Sequence, residues 1–160
     1  MTVTDLLDRA KAQGVMITTA ESCTGGMVAV ALTDIPGSSA VVERGFVTYT
    51  NTAKQEMLGV RADTLEAHGA VSEEVAREMA EGALRNSQAQ LAVSITGIAG
   101  PGGSEYKPEG RVCFGLAAND QATRTETIEF GALGRNNVRR AARDHALVLL
   151  NNALCTPPQD

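Results

Sequence analysis

The sequence predicts a single-domain α/β fold, a three-layer α/β/α sandwich built on a mixed, mostly parallel sheet. Short β-favouring runs alternate with helical patterns through the first part of the chain, which is typical of parallel strands joined by crossover helices. Later, two β-patterned runs at 110–118 and 123–130 flank a short polar segment and predict an antiparallel hairpin. With 160 residues, 43% of them apolar, the chain is long enough to bury one core. We expect one domain over residues 1–160.

The charge and composition of the chain indicate which classes of partner to expect and where in the cell the protein is located. The net charge is -5, and Lys and Arg are scattered, so the chain has no basic stripe for a nucleic-acid backbone. No segment approaches the ~20 apolar residues of a membrane-spanning helix. The amino-terminal residues lack the basic-then-apolar order of a signal peptide. We therefore expect a cytoplasmic protein without a nucleic-acid or membrane partner.

The cysteines give no disulfide or metal pattern. Cys23, Cys113 and Cys155 are odd in number, and their spacing matches no zinc-binding pair. The carboxylates are also scattered and show no ligand spacing around His68. The sequence therefore predicts free thiols and no bound metal.

The first elements are a helix, a strand and a second helix. Apolar residues recur at helical spacing between Thr4, a possible N-cap, and Gly14, a possible C-terminal stop. Residues 15–19 then form a strand, and 22–32 form a loop and helix. A strand over 41–50 follows, and then a short helix capped by Asn51 or Thr52 and closed by Gly59. Two more helices are predicted, over 62–67 and from Ser72 to about 86, before a strand over 91–96 and the hairpin. A terminal helix begins at Asn136 or Asn137, and Pro157-Pro158 ends the ordered chain.

The chain is organised around the stretch ITTAESCTGG at 17–26, where a β-branched strand ends in small polar residues and two glycines. Ser22 and Thr24 are good helix N-caps, and Gly25-Gly26 lets backbone N–H groups approach a ligand closely. Such a turn can bind an anion or an oxyanion. The alternative is an ordinary N-capped helix after a strand, and only the rest of the chain can decide between the two.

Three other features carry weaker signals. Lys54 lies in the first turn of its predicted helix, where the helix dipole disfavours a cation; this suggests a task beyond helix stability, although a solvated lysine tolerates the cost. The stretch GIAGPGGS at 97–104 either wraps a ligand or is a flexible linker. His145 shares the apolar face of the terminal helix, so we expect a core or interface histidine rather than a ligand.

Five motifs follow one another along the chain: TTAESCTGG at 18–26, GSS at 37–39, GFVTYTNTAK at 45–54, HGAVS at 68–72 and SITGIAGPGGS at 94–104. Their number and order closely resemble the CinA C-terminal domain family, and the resemblance covers nearly the whole chain. Family members of this length are nicotinamide-nucleotide amidohydrolases, which convert nicotinamide mononucleotide to nicotinic acid mononucleotide and release ammonia in pyridine nucleotide recycling. The resemblance implies that activity, with no cofactor. One departure is visible: the loop at 100–104 is one residue shorter than the family's frequent GPxGGS.

The resemblance also implies an active site. By it, Ser22, Ser39, Tyr49 and Lys54 gather as catalytic residues. Lys54 is then the base, one serine is the nucleophile, and the other serine or Tyr49 is a proton bridge. The residues expected to bind the substrate are Thr24, Gly25, Gly26, Thr96, Gly97 and Arg135. The expected partners are the nucleotide and further copies of the chain in a homo-oligomer, a dimer or larger.

The residues support amide hydrolysis on their own terms. An amide carbonyl is a poor electrophile, so its hydrolysis needs an activated nucleophile, a proton acceptor and donors for the oxyanion. Neither histidine lies beside a suitable serine in a Ser-His-Asp order, and a Ser-Lys arrangement fits better. A lysine base needs its pKa lowered from about 10.4 to near neutrality by burial or nearby positive charge. Ser22 is favoured over Ser39 as nucleophile, because the helix amides that follow Ser22 can serve as an oxyanion hole.

Other interpretations of single residues, and of the whole chain, stay open at this point. Cys23 is a competing nucleophile, although we expect a small cysteine packed against the sheet. Arg135 follows a strand-to-helix break, where its guanidinium can bind a phosphate through two bonds; the alternative is a solvated arginine near Arg139, Arg140 and Arg143. A fold can also keep its pocket without turnover, which leaves a non-catalytic nucleotide-binding or assembly module as the second class of function.

Overall fold

The strands and the α-helices follow one another along the chain in the predicted order. The computed structural model describes residues 2–155. The strands are β1 (Ile17–Glu21), β2 (Val42–Val47), β3 (Leu91–Gly97), β4 (Arg111–Ala118) and β5 (Arg124–Glu129). The helices are α1 (Val3–Gln13), α2 (Met27–Thr33), α3 (Asn51–Leu58), α4 (Ala62–His68), α5 (Glu73–Arg85) and α6 (Arg135–Cys155), with a 3₁₀ helix at Ser38–Ala40 before β2.

The strands form one sheet in the order β2-β1-β3-β4-β5. β1 pairs in parallel with β2 and with β3, whereas β4 is antiparallel to both β3 and β5. Among the described residues, β4 alone therefore runs against the other strands, which confirms the mixed, mostly parallel sheet. The carboxyl ends of β1, β2 and β3 lie at one edge of this sheet, so the loops that follow them meet there.

Helices cover both faces of the sheet, and this confirms the three-layer sandwich. On one face, α1, α2 and α6 pack around a core that includes Leu6, Val28 and Leu150. On the other face, α3, α4 and α5 pack around Leu58 and Met79. β1 and β3 are buried along almost their whole length because both of their faces are covered.

The first helix begins two residues earlier than the sequence pattern indicates. Its N-cap is Thr2 rather than Thr4, because Thr2 and Asp5 form a capping box. The Thr2 hydroxyl accepts from the Asp5 N–H at 3.1 Å, and the Asp5 carboxylate accepts from the Thr2 N–H at 3.0 Å. Gly14 ends the helix in a left-handed conformation, as predicted.

Three other boundaries also move. The second strand ends at Val47 rather than at residue 50. The first strand occupies Ile17–Glu21 rather than 15–19, so it ends directly at Ser22. The terminal helix begins at Arg135 instead of Asn136 or Asn137, which places the guanidinium of Arg135 at the helix start. The predicted end of order at Pro157-Pro158 lies outside the described residues. No helix between residues 2 and 155 is long and apolar enough to cross a bilayer.

The packing of His145 confirms that it is a core or interface residue. Its ring lies edge-on to Phe114, with the two ring centroids 4.7 Å apart, and it also contacts Phe130. Its Nε2 atom pairs with the carboxylate of Glu126 on β5. The histidine therefore joins α6 to the hairpin.

Candidate active site

A cavity of about 320 Å³ opens at the edge where the parallel strands end. Loops that follow β1, β2 and β3 form its walls, together with the turn between α4 and α5 and the first residue of α6. The residues that line it are Ser22, Cys23, Tyr49, Asn51, Lys54, Ala70, Val71, Thr96, Gly97, Ile98, Ala99, Ser104, Glu105 and Arg135. This is the place where ligands bind in open α/β sheets.

Ser22 and Lys54 meet inside this cavity. The amine Nζ of Lys54 donates to Ser22 Oγ at 3.1 Å and to the backbone carbonyl oxygen of Tyr49 at 3.2 Å. The Ser22 hydroxyl lies 3.4 Å from the same carbonyl oxygen. A hydroxyl and an amine at this distance can exchange a proton directly. The structure therefore brings together the predicted Ser-Lys pair.

Helix α3 holds Lys54 with its amine directed inward. The helix begins after Thr50, whose hydroxyl accepts from the Ala53 N–H at 3.0 Å. Only 2% of the Lys54 surface is exposed. Burial lowers the pKa of the Lys54 amine from its ordinary 10.5, while the charges of Cys23 and Glu105 act in the other direction. Burial therefore favours the neutral form of this amine.

The loop after Ser22 is shaped by Glu21, a buried carboxylate at the end of β1. Glu21 accepts from the Thr24 hydroxyl at 2.6 Å and from the N–H groups of Val28 and Ala29 at 2.9 and 3.1 Å. The first free amides of α2 are therefore bound to a carboxylate of the same chain. The prediction that these helix amides form an oxyanion hole is wrong, because Glu21 already occupies the helix N-terminus.

Thr24, Gly25 and Gly26 turn the chain and do not line the cavity. Both glycines have positive φ, 57° at Gly25 and 108° at Gly26, a conformation that favours glycine. The guanidinium of Arg139 fixes the loop from outside by donating to the carbonyl oxygens of Cys23 and Thr24 at 3.0 and 3.4 Å. The double glycine therefore serves the turn that presents Ser22.

Arg135 and Tyr49 form the rim of the cavity. The Arg135 guanidinium donates to the carbonyl oxygen of Gly100 and to the Tyr49 hydroxyl, both at 2.6 Å. Tyr49 is 55% exposed, and its hydrogen bonds with Ser22 and Lys54 are made by its backbone carbonyl. The arginine is therefore directed across the cavity mouth, where a ligand's anionic group can reach it.

Thr96 and Gly97 line the cavity at the end of β3. The Thr96 hydroxyl donates to the carbonyl oxygen of Ala70 at 2.8 Å, which joins β3 to the turn before α5. A Cβ atom at Gly97 would lie 2.7 Å from Val112 Cγ2 and 3.1 Å from Cys23 Sγ. Glycine is therefore needed at position 97 for the cavity floor to pack.

Ser39 lies far from these residues within one chain. It belongs to the 3₁₀ helix before β2, is exposed, and does not line the cavity. Because β1 and β2 are parallel, the start of β2 and the end of β1 lie at opposite edges of the sheet. The structure therefore does not bring Ser39 to Lys54 within a single chain.

Several residues of the site are not marked by sequence patterns. Asn51, Ser104 and Glu105 line the cavity, and Glu21 supports it from behind. For Asn51 the sequence pattern suggests only a helix cap. Ser104 is the last residue of the glycine-rich stretch, and Glu105 follows it. The glycine-rich stretch at 97–104 does wrap the cavity, since Gly97, Ile98, Ala99 and Ser104 line it.

The cavity thiol is protected from ionisation. Burial raises the pKa of the Cys23 thiol to about 12, and burial also raises the pKa of Cys113. Cys155 is exposed.

We expect iodoacetamide at pH 8 to add one label to the folded protein, at Cys155, whereas denatured protein takes up three labels. Intact-mass spectrometry measures the number of labels in both states. Rapid labelling of Cys23 in the folded protein would contradict this.

Within residues 2–155, no group of three or more His, Cys, Asp and Glu side chains could hold a metal ion. The polar groups that face the cavity are instead hydroxyls, amides, one carboxylate and two cationic side chains. Two of these polar residues, Ser22 and Lys54, form the buried pair.

Comparison with known proteins gives a consistent family match. Residues 2–154 match the model of the CinA C-terminal domain. The chain is 57% identical over 143 residues to the Escherichia coli (strain K12) protein named nicotinamide-nucleotide amidohydrolase PncC, covering 88% of this chain and 85% of that one. It is 58% identical over 125 residues to a CinA-like protein of Chlorobium phaeobacteroides, covering 76% of this chain but only 30% of that relative.

Solved structures agree with this match. The competence/damage inducible protein CihA from Agrobacterium tumefaciens has a TM-score of 0.88 at 48% identity, with 96% of each chain covered. A competence damage-inducible protein A from Klebsiella pneumoniae has a TM-score of 0.91 at 36% identity, covering 99% of this chain and 100% of that one. Fold and sequence thus point to the same set of relatives.

Proposed function

Because this chain belongs to the CinA C-terminal domain family, we propose that it hydrolyses the carboxamide of nicotinamide mononucleotide, giving nicotinic acid mononucleotide and ammonia in pyridine nucleotide recycling. The observation that carries the proposal is the 3.1 Å contact between Ser22 Oγ and the buried amine of Lys54 inside a ligand-sized cavity. Amide hydrolysis needs a nucleophile and a base in contact, and this pair supplies both.

The reaction proceeds in two halves. The neutral amine of Lys54 takes the proton of Ser22 as Oγ attacks the carboxamide carbon. The carbon–nitrogen bond then breaks, Lys54 returns the proton to the departing nitrogen, and ammonia leaves a nicotinoyl ester on Ser22. Water attacks that ester while Lys54 accepts its proton, and Lys54 reprotonates Ser22 Oγ as the carboxylic acid product leaves.

Tyr49 holds the two ends of the site together. Its backbone carbonyl positions the Lys54 amine, and its hydroxyl accepts from Arg135. The contacts support a positioning role for Tyr49 at the phosphate end, rather than a proton bridge between Ser22 and Lys54. The phosphate of the nucleotide then pairs with Arg135 while the carboxamide reaches Ser22.

Ser39 enters the proposed site only through a second copy of the chain. It is exposed at the opposite edge of the sheet, so a neighbouring molecule in a homo-oligomer can present it where its own chain cannot. The expected homo-oligomer would then supply Ser39 of one chain to the active site of another. Mixing Ser22→Ala chains with Ser39→Ala chains tests the idea.

Ammonia release tests the function directly. Purified protein should release ammonia from nicotinamide mononucleotide and form one equivalent of nicotinic acid mononucleotide, and the rate should persist with a chelator, because Ser22 and Lys54 supply the chemistry. Binding of the nucleotide without ammonia release would instead support the non-catalytic binding or assembly module.

Arg135→Ala should impair use of the phosphorylated nucleotide much more than use of nicotinamide riboside. Only the nucleotide offers a phosphate, and loss of a charge-assisted contact costs about 1.5 to 3 kcal/mol, or about 10- to 150-fold in kcat/KM. Arg140→Ala is the matched control, since Arg140 is exposed on the same helix and does not line the cavity. Equal losses on both substrates would remove Arg135 from the phosphate site.

A further inference from the structure

Glu105 is the charged residue of the cavity that the proposed reaction leaves without a task. The described charged residues that line the cavity are Lys54, Arg135 and Glu105. Lys54 is the base and Arg135 faces the phosphate, which leaves one carboxylate in a site that must also accept an anionic group. A carboxylate in such a place repels that anionic group, and a positively charged part of the ligand would offset the repulsion.

The structure holds Glu105 in place through a tight turn. Ser104 and Lys107 exchange backbone hydrogen bonds of 3.0 and 2.8 Å across it. Glu105 and Tyr106 form the corner with φ of 51° and 64°, the left-handed region in which Asn and Gly are the usual residues. The backbone preference of glutamate, which favours negative φ, therefore does not explain a glutamate at this position. A residue held in an unfavourable backbone conformation is a reason to look for a function.

Lys107 ties this turn to the wall of the cavity. Its ammonium donates to the carbonyl oxygens of His68 and Val71 at 2.7 and 2.6 Å. Tyr106 lies fully exposed at the corner. Glu105 lies against the chain instead, because a Cβ atom at Gly69 would come within 2.6 Å of its Oε2 atom. The turn thus keeps the carboxylate at the cavity.

Glu105 lies at the part of the cavity wall formed by the turn between α4 and α5. Its carboxylate lies beside Gly69, next to Ala70 and Val71, which also line the cavity, and its negative charge acts to raise the pKa of the Lys54 amine. Arg135 lies at the other end, bonded to Gly100 and Tyr49. A ligand that spans the cavity therefore meets a cation at its phosphate and a carboxylate near its reacting ring.

We propose that Glu105 is a specificity-determining residue that recognises the positive charge of the substrate's pyridinium ring. The inference rests on the proposed function, because nicotinamide mononucleotide has this charge distribution: a phosphate anion at one end and a cationic ring that bears the carboxamide at the other. With the carboxamide at Ser22 and the phosphate at Arg135, the ring lies in the cavity that Glu105 lines. The site therefore selects the oxidised ring over the neutral dihydropyridine.

The same contact favours release of the product. Hydrolysis converts the neutral carboxamide into a carboxylate on the same ring, which offsets the ring's positive charge and repels Glu105. Glu105 therefore attracts the substrate more strongly than the product.

Glu105→Gln tests the proposal, because it keeps the size and backbone demands of the residue and removes only its charge. The KM for nicotinamide mononucleotide should rise about two- to fivefold with kcat changed less than twofold. The inhibition constant of the reduced nucleotide, whose ring is neutral, should change less than twofold. Asp120→Asn is the matched control, since Asp120 also loses a charge at a positive φ, 60°, but does not line the cavity.

Other outcomes overturn the proposal. Equal weakening of both nucleotides would point to a ribose contact or a loop effect, and a shift in the pH dependence of kcat with KM unchanged would place the action of Glu105 on Lys54. Unchanged constants for both nucleotides would remove Glu105 from recognition while leaving the proposed function intact. If the wild-type protein neither binds nor hydrolyses nicotinamide mononucleotide, the proposed function fails, and this inference fails with it.

Discussion

Lys54→Ala is expected to lower kcat on nicotinamide mononucleotide by about 10² to 10⁴-fold while leaving nucleotide binding nearly intact. The range is the typical cost of removing a general base. The reason is the 3.1 Å contact with Ser22 Oγ, since no other titratable side chain of the described residues forms a hydrogen bond with that oxygen. Steady-state ammonia release measures kcat, and calorimetry measures binding. Turnover near the normal rate would exclude Lys54 as the base.

Two further substitutions separate proton transfer from packing. Lys54→Met keeps much of the buried volume without an amine, so it should be as inactive as Lys54→Ala if the base is what matters. Lys54→Arg should not restore turnover, because a guanidinium stays protonated and cannot accept the serine proton. Recovery of activity in either variant would mean that Lys54 acts by filling space or by carrying charge.

The pH dependence of the rate should follow Lys54. Burial lowers its pKa below the ordinary 10.5, and the neutral amine is the active form, so kcat/KM should rise with pH through that lowered pKa and then level off. Between the lowered pKa and 10.5, the Lys54 amine binds less of its proton in the folded protein than in the unfolded chain. The free energy of unfolding should therefore rise with pH in that range. Lys54→Met should remove both trends.

Ser22→Ala is expected to lower kcat by at least about 10³-fold, because it removes the atom that forms the acyl intermediate. Rapid acid quench followed by mass spectrometry should find a nicotinoyl ester on the wild-type protein and none on the variant. Ser87→Ala is the matched control, since that hydroxyl lies outside the cavity and only bonds within its own turn. An ester that still forms in Ser22→Ala would assign the nucleophile to another residue.

Ser39→Ala then tests whether a second copy completes the site. If it does, Ser39→Ala is impaired, and mixing Ser22→Ala with Ser39→Ala chains restores part of the rate, because some assembled sites receive both intact serines. If each chain builds its own site, Ser39→Ala keeps its rate and mixing has no effect. Light scattering on the same samples gives the oligomeric state.

The pattern of elements was predictable because it depends on residues close together in the chain. The alternation of apolar runs and turn residues predicts β1, β3, α5 and the hairpin with boundaries within about two residues, since side-chain periodicity and capping are local properties. The exceptions have local causes that the pattern does not show, such as the Thr2–Asp5 capping box that moves the start of α1.

The role of the ESCTGG turn could be predicted only in part. The sequence indicates that it ends a strand and presents Ser22, and the structure confirms this. Its helix amides serve Glu21 instead of a ligand, because Glu21 is buried and a buried carboxylate must be hydrogen-bonded. A glutamate in a short strand gives no sign of burial, so this contact could not be expected.

The sequence by itself determined the α/β fold, the order of its elements and the candidate Ser22 and Lys54, because periodicity and motif order are properties of the chain alone. Only the tertiary structure decided that these two residues, 32 positions apart, meet at 3.1 Å, that Lys54 is desolvated, and that Ser39 lies at the opposite edge of the sheet. Distance and desolvation depend on how β1, α3 and the surrounding loops pack, and that packing sums many weak contacts between distant segments.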